Sequence, residues 1–286
     1  MKTKSHILRP LAVSIIVFIS SFIFIIPANA QDVTTKIETK GQTKKWHFEI
    51  APYFWAPSIY SDVVLGPVTV NTKTPFNEIF SNLTGVFLFH FEFGKGKWTV
   101  LTDVLYLQDE LTQTAQYTFF PKLPNISTID FEAGFTLTTL QLEALGAYRL
   151  TSETSNNKVE VMVGMRYTQI KDDLRLTEES FLDTLYFFPI KHTTTYIDPL
   201  IGARYKIQFH KKWGFDFRAD IGGFSVGSKF TSNLLARLSF EATRFLDLQL
   251  GYRWLYSNYD NGKTGIEHYE NKSNELGPMF FAAFKF

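Results

Sequence analysis

The chain has no cysteine, which excludes disulfides and thiolate metal centres. It has no excess of either charge: 29 Lys and Arg stand against 28 Asp and Glu. Nothing therefore points to nucleic acid or to a strongly charged partner. After residue 30 it has no apolar run approaching the ~20 residues that a membrane-spanning helix requires. What it does have is aromatic side chains, 16% of the sequence, and an apolar stretch confined to the first thirty residues.

That stretch reads as a secretory signal peptide, residues 1–30. Lys2, Lys4 and Arg9 form a positive start, Leu11 to Ile26 an apolar core, and Pro27 with Ala28-Asn29-Ala30 a helix break and small-residue cleavage site. No cysteine follows the core, so the pattern is not that of a lipoprotein. Without its three basic residues the balance becomes 26 basic against 28 acidic. A polar segment occupies 31–44, and 45–286 is then the folded part. An exported, aromatic chain without a spanning helix is either a periplasmic β-protein or a barrel in the outer membrane.

Period-2 alternation favours the barrel. Leu246, Leu248, Leu250, Tyr252 and Trp254 oppose Asp247, Gln249, Gly251 and Arg253. Trp213, Phe215 and Phe217 oppose Asp216, Arg218 and Asp220, and Phe87, Phe89, Phe91 and Phe93 oppose Leu88, His90 and Glu92. The polar faces carry isolated ions separated by glycine, which suits a crowded lumen better than the wet face of a sandwich. Short connections near 94–97, 151–157, 210–213 and 243–245 alternate with longer ones near 110–128, 174–190 and 257–274, plus a compact Gly-Gly-Phe-Ser-Val-Gly-Ser-Lys at 222–229. This is the order of periplasmic turns and external loops. The last strand puts Phe280, Ala282, Phe284 and Phe286 toward lipid and Ala283 and Lys285 toward the lumen. Its terminal aromatic resembles the signal by which the outer-membrane assembly machinery recognises its clients. Strands at 45–56 and 62–73 give an odd total. Either 57–83 is an excursion with a hairpin and a helical turn at 76–83, leaving ten wall strands, or a further strand, as at 33–41, gives twelve. The expected fold is an all-β, antiparallel up-and-down transmembrane barrel of 10–12 strands.

The motifs Trp46-His-Phe-Glu-Ile-Ala-Pro-Tyr-Phe-Trp55, Pro75-Phe-Asn-Glu-Ile-Phe-Ser-Asn-Leu83, Trp98 to Tyr106, Tyr196 to Tyr205, Asp220 to Ser228, Gly251-Tyr-Arg-Trp-Leu-Tyr256 and the terminal Gly277-Pro278…Phe284-Lys-Phe286 occur in order. Together they resemble a family of uncharacterised Gram-negative outer-membrane β-barrel proteins, described as porin-like. The resemblance implies location and fold, and brings no activity and no catalytic residues.

The candidate site is the inward polar set: Glu92, Asp103, Glu143, Asp198, Asp216, Asp220, Glu241 and Asp247 with Arg149, Arg166, Arg204, Arg218, Arg237 and Arg253. Near balance of sign implies Arg–carboxylate pairing, since a confined charge must be paired or hydrated, and implies no strong ion selectivity. Asp216 and Asp220 with Arg218 between them read as a salt-bridge ladder. His192 and Thr194 share a face near an external loop and are the one candidate for acyl transfer. Asp172-Asp173 with Glu178-Glu179 is a weak candidate for divalent cations, and Phe224 a candidate plug. No cofactor and no metal site is expected. The expected function is a non-enzymatic outer-membrane barrel, as a narrow channel for small polar solutes or a passive structural protein. The alternatives are an outer-membrane lipid-modifying acyl hydrolase or transferase, or a surface binding protein acting through external loops. Expected partners are outer-membrane lipids, the barrel assembly machinery and small polar solutes.

Overall fold

The computed structural model describes residues 45–118, 128–152, 155–176 and 190–286. The signal peptide, the segment 31–44 and the supplementary strand considered at 33–41 lie outside them. Twelve strands form one antiparallel sheet: β1 (Trp46–Trp55), β2 (Ser58–Leu65), β3 (Val68–Thr74), β4 (Leu83–Lys95), β5 (Trp98–Thr118), β6 (Thr128–Arg149), β7 (Asn157–Leu176), β8 (Ile190–His210), β9 (Trp213–Gly222), β10 (Phe230–Thr243), β11 (Leu246–Asp260) and β12 (Tyr269–Lys285). Among the described residues a short α-helix, α1 (Phe76–Asn82), and a 3-10 turn at Gly265–Glu267 interrupt them. β1 pairs with both β4 and β12, so the sheet closes and no membrane-level edge is left unpaired.

The odd strand count resolves at the first two wall positions. β1 pairs with β12 from Glu49↔Lys285 to Trp55↔Met279, and β2 continues along the same partner from Ser58↔Leu276 to Leu65↔Tyr269. These are one wall strand with a jog at Ala56-Pro57, where proline has no N–H to give the ladder. The Ala56 N–H still reaches the Pro278 carbonyl at 2.9 Å. Opposite it, a Cβ on Gly277 would lie 2.0 Å from the Ala56 carbonyl oxygen, so only glycine fits there. β2 turns at Gly66, whose φ of 60° suits glycine, into β3, which pairs with the outer end of β5 (Val68↔Tyr117). α1 then bridges to β4, which pairs with the inner part of β5. The wall therefore has ten positions. Residues 57–83 hold the expected hairpin, β2 and β3, and helical turn, the hairpin pairing with β12 and β5 instead of standing apart from the sheet, and 62–73 is two strands instead of one.

The second difference lies in the external strands. β5 and β6 pair as far as Thr118↔Thr128, and β7 and β8 as far as Leu174↔Ile190. Residues 110–118 and 128 of the loop expected at 110–128, and 174–176 and 190 of that expected at 174–190, are thus strand, and the remainder of both lies outside the described residues. Above the bilayer both faces of a strand meet water, so no apolar alternation marks it. β9 and β10 stop lower, at Gly222 and Phe230.

Outward faces form an apolar band: Val161, Val163, Met165, Ile197, Ile201, Phe217, Leu250 and Phe280 are all exposed. Aromatic groups bound it at both ends. At the end bearing the short turns, Trp98 packs on Tyr148 (4.8 Å) and Trp213 on Phe240 (4.8 Å), while Lys95, Lys97 and Lys212 lie over Trp46, Tyr148 and Phe240. At the other end α1 turns Phe76 and Phe80 toward Phe54 and buries Ile79 inward. Arginine in place of Val163, in the middle of the band, should lower folding stability in lipid vesicles by about 2–4 kcal/mol. Trp98→Arg, at the boundary, should cost only ~0–1 kcal/mol. Urea-dependent refolding into bilayers reads both.

Candidate functional site

Strand parity and barrel closure bring the expected polar set together inside. Glu92, Glu143, Arg149, Arg166, Asp198, Arg204, Asp216, Arg218, Asp220, Arg237 and Arg253 are buried, and Asp103 lies beside them, partly buried. Two centres organise them. In the first, the Arg166 guanidinium reaches Glu143 (2.7 Å) and Asp220 (3.2 Å), and Arg218 reaches the same two carboxylates. Asn233 donates to Asp220 and accepts from Arg253, and Thr231 accepts a further bond from Arg166. Gly202, opposite Asp220 in the register, leaves the room: a Cβ there would lie 2.7 Å from the Asp220 Cβ.

In the second centre Arg204 is held by Glu92 (2.7 Å) and Glu160 (2.6 Å), while Lys206 lies 3.2 Å from Glu92 and 3.5 Å from Asp216. Arg237 reaches Asp216 at 2.8 Å and lies over the Phe281 ring. A third group links the two walls: the Tyr53 hydroxyl donates to Asp103, which also meets His90 at 3.3 Å. The expected ladder forms along β9 only between Arg218 and Asp220, at 2.8 Å, whereas Asp216 pairs with Lys206 and Arg237 on the neighbouring strands. Glu160, Lys206, His90 and Tyr53 belong to the network although the inward set did not include them. Parity alone would have found Glu160 and His90.

The remaining members sit at the ends. Arg149 donates to Thr151 and to the Ser155 carbonyl at a short turn. Glu241 and Asp247 lie at the same rim, where Lys285 pairs with Asp247 at 2.7 Å and approaches Glu241 at 3.8 Å. In the terminal strand Phe280 and Phe286 are exposed on the outer face and Phe281 and Ala283 are buried inside; Phe284 shares the outer parity. Asp198 accepts the Ser228 N–H at 2.6 Å, fastening the 222–229 connection to β8. Phe224 in that connection is exposed with φ 48°, so it does not fill the lumen.

The lumen also holds an apolar mass. Tyr53, Trp55, Leu88, Leu105, Leu107, Leu235, Leu255, Met279 and Phe281 form one buried cluster, and Leu101, Leu145, Ala147, Met162 and Leu200 a second. With Arg166 and Arg204 each only 2% exposed, side chains fill the middle of the barrel. Two spaces remain. A vestibule of about 230 Å³ near the short turns is lined by Glu49, Lys158, Lys206, Asp216, Arg237 and Lys285, among others. A smaller cavity of about 60 Å³ lies on the external side, among Trp55, Thr74, Ile79, Asp109, Tyr196 and Glu275.

Beyond the aromatic boundary, β8 faces β11 and β12 through stacked rings, Tyr196 on Tyr259 (4.4 Å) and His192 on Tyr269 (4.3 Å). His192 is paired in register with Asp172, and burial and Lys263 lower its pKa. Thr194 is buried, and no hydrogen bond joins it to His192 among the described residues. That arrangement holds the His192 ring in a packed seam. Glu178 and Glu179 lie outside the described residues. Asp260, His268 and Glu270 come close enough to share a cation, but Lys229 and Lys272 already pair with Asp260 and Glu270.

Burial pushes the Asp172 carboxyl up to about 7 from an ordinary 3.8, and the Tyr269 hydroxyl offsets this only in part. A raised carboxyl makes the folded state the greater proton binder between those values, so the seam should loosen as pH rises from about 4 toward 7. Hydrogen exchange at 192–196 and 257–260 should quicken across that window, and Asp172→Asn should flatten the change. In the lumen, Glu143→Gln would leave Arg166 and Arg218 each short of a carboxylate. It should cost about 3–5 kcal/mol in urea-dependent folding, whereas Glu241→Gln at the rim should stay within about 0.5 kcal/mol.

No family model and no curated protein matches the chain. Among solved structures the barrel is similar to the outer membrane protease OmpT from Escherichia coli, with a TM-score of 0.54 and 10% identity over 87% of this chain and 99% of that one. The translocator domain of the autotransporter NalP from Neisseria meningitidis follows with a TM-score of 0.36 and 14% identity, over 84% of this chain and 89% of that one. Ail of Yersinia pestis has a TM-score of 0.31 and 8% identity, over 84% of this chain and 98% of that one. At these identities the likeness is one of fold, and the fold is that of an integral β-barrel of the Gram-negative outer membrane.

Proposed function

We propose that this protein is a sealed, non-enzymatic outer-membrane barrel that acts at its external end as a surface binding protein. The filled mid-section carries the reading. A water-filled pore leaves its lining side chains wet, and a ten-stranded wall encloses little more than side chains need. Here Phe281, Leu255, Arg166 and Arg204 are buried side by side with their partners. The external strands add surface without adding a path through the wall. Lipids of the outer membrane cover the apolar band, and the barrel assembly machinery is the partner to which the aromatic terminal strand is suited.

One observation favours the narrow channel for small polar solutes as a second reading. The vestibule of about 230 Å³ carries both signs of charge and ends against the Arg204 and Arg237 pairs, a place where a moving septum would admit small solutes. Planar bilayers separate the two. Folded protein should give no discrete current steps at moderate voltage, and reproducible steps from a purified, heat-modifiable species would favour the channel.

A further inference from the structure

The external cavity has a composition that the sealed-barrel reading does not require. Three buried polar atoms along its wall have no hydrogen-bond partner: the Trp55 indole nitrogen, the Thr74 hydroxyl and one carboxylate oxygen of Asp109. Each belongs to a side chain that is more than nine-tenths buried. Native interiors seldom leave such groups unmet; the Thr74 hydroxyl and the Asp109 oxygen can accept from an occupant of this space, while the Trp55 N–H can only donate. A second carboxylate, Glu275, lines the same space, and its one hydrogen bond comes from the Ser273 hydroxyl. No Lys, Arg or His stands among the lining residues. The rest of the wall is apolar or neutral, from Ile79 and Leu107 to Ile170.

We infer that this cavity is a binding site for a small organic cation, an ammonium carried on a short apolar body. The inference rests on the reading that the protein binds ligands at its external end, and it names the class. An ammonium supplies donors to Asp109 and Glu275, which have no basic neighbour in the cavity. Its hydrocarbon part meets Trp55, Ile79 and Leu107, and the indole ring already carries the Arg253 guanidinium at 5.0 Å. Anions are disfavoured, because the described lining holds two acids and no base. At about 60 Å³ the space limits the occupant to a few heavy atoms, since a water needs roughly 10–15 Å³ on this measure. Glu78 and Glu110, which lie outside the cavity lining, add negative field at Asp109. With burial they push its carboxyl up to about 7, so a bound ammonium takes the place of a proton.

The test uses folded barrel in detergent micelles with n-butylammonium, 1-butanol and butyrate as probes. Trp55 fluorescence and ligand-observed NMR report binding. Butylammonium should bind at least tenfold more tightly than butanol, and butyrate should not bind. Asp109→Asn should erase the preference for the ammonium while leaving butanol binding unchanged. Heat-modifiable migration confirms that the variant is folded, and Glu275→Gln serves as the second variant should Asp109→Asn fail that check. Equal binding of butanol and butylammonium, no binding of either, or a preference that survives in both variants overturns the inference. None of these results alters the bilayer current, which tests the sealed barrel on its own.

Discussion

Three arginines, each gripped by two carboxylates inside a closed wall, are the interaction on which the rest of this structure depends. Arg166 and Arg218 share Glu143 and Asp220, and Arg204 joins Glu92 to Glu160. Pairs of this kind add little net stability over an apolar interior of equal volume, because desolvation cancels much of the attraction. Their effect is on geometry. An unmet charge in so confined a space is costly, so a register slip in any one strand would strand several ions at once. The network therefore ties β4, β6, β7, β8 and β9 to one arrangement.

The other side of the lumen is built differently. β1, β5, β10, β11 and β12 turn apolar side chains inward, and Arg237 and Arg253 lie across the boundary with their planes against Phe281 and Trp55. A second apolar cluster, with Leu145, Ala147, Met162 and Leu200 of β6, β7 and β8, sits among the ions, so apolar and charged side chains together fill the middle of the lumen. Space is left toward the ends: a mixed-charge vestibule below, and above it a cavity whose wall has polar atoms left over.

How much of this was legible in the sequence follows from what each face touches. Where one face meets lipid, alternation is strong, and Phe215, Leu250 and Phe280 point outward as their parity requires. Residues 110–118, which belong to β5, carry no apolar alternation in the sequence and read as loop. Where both faces are apolar, hydropathy gives no contrast and only parity separates them: Leu255 falls inward with Arg253, and Phe281 inward with Ala283, and both are buried in the lumen. The inward ions could be named one by one from parity. Their partners could not, because Arg166 meets Asp220 from two strands away and Arg204 meets Glu92 from the far wall, which only closure and shear determine. The jog at Ala56-Pro57 was visible as a proline in a strand, yet its meaning depends on Gly277-Pro278 across the ladder.

The absence of cysteine makes the central claim, that the lumen is sealed at mid-height, directly accessible. A single cysteine at Ser239, in the vestibule, can be challenged with a membrane-impermeant thiol reagent applied to intact cells, with Lys263→Cys in the exposed external hairpin as the reference. The account predicts rapid labelling at 263 and none at 239 until the periplasmic side is opened. Labelling of 239 from outside in intact cells, at a rate comparable to 263, would contradict it.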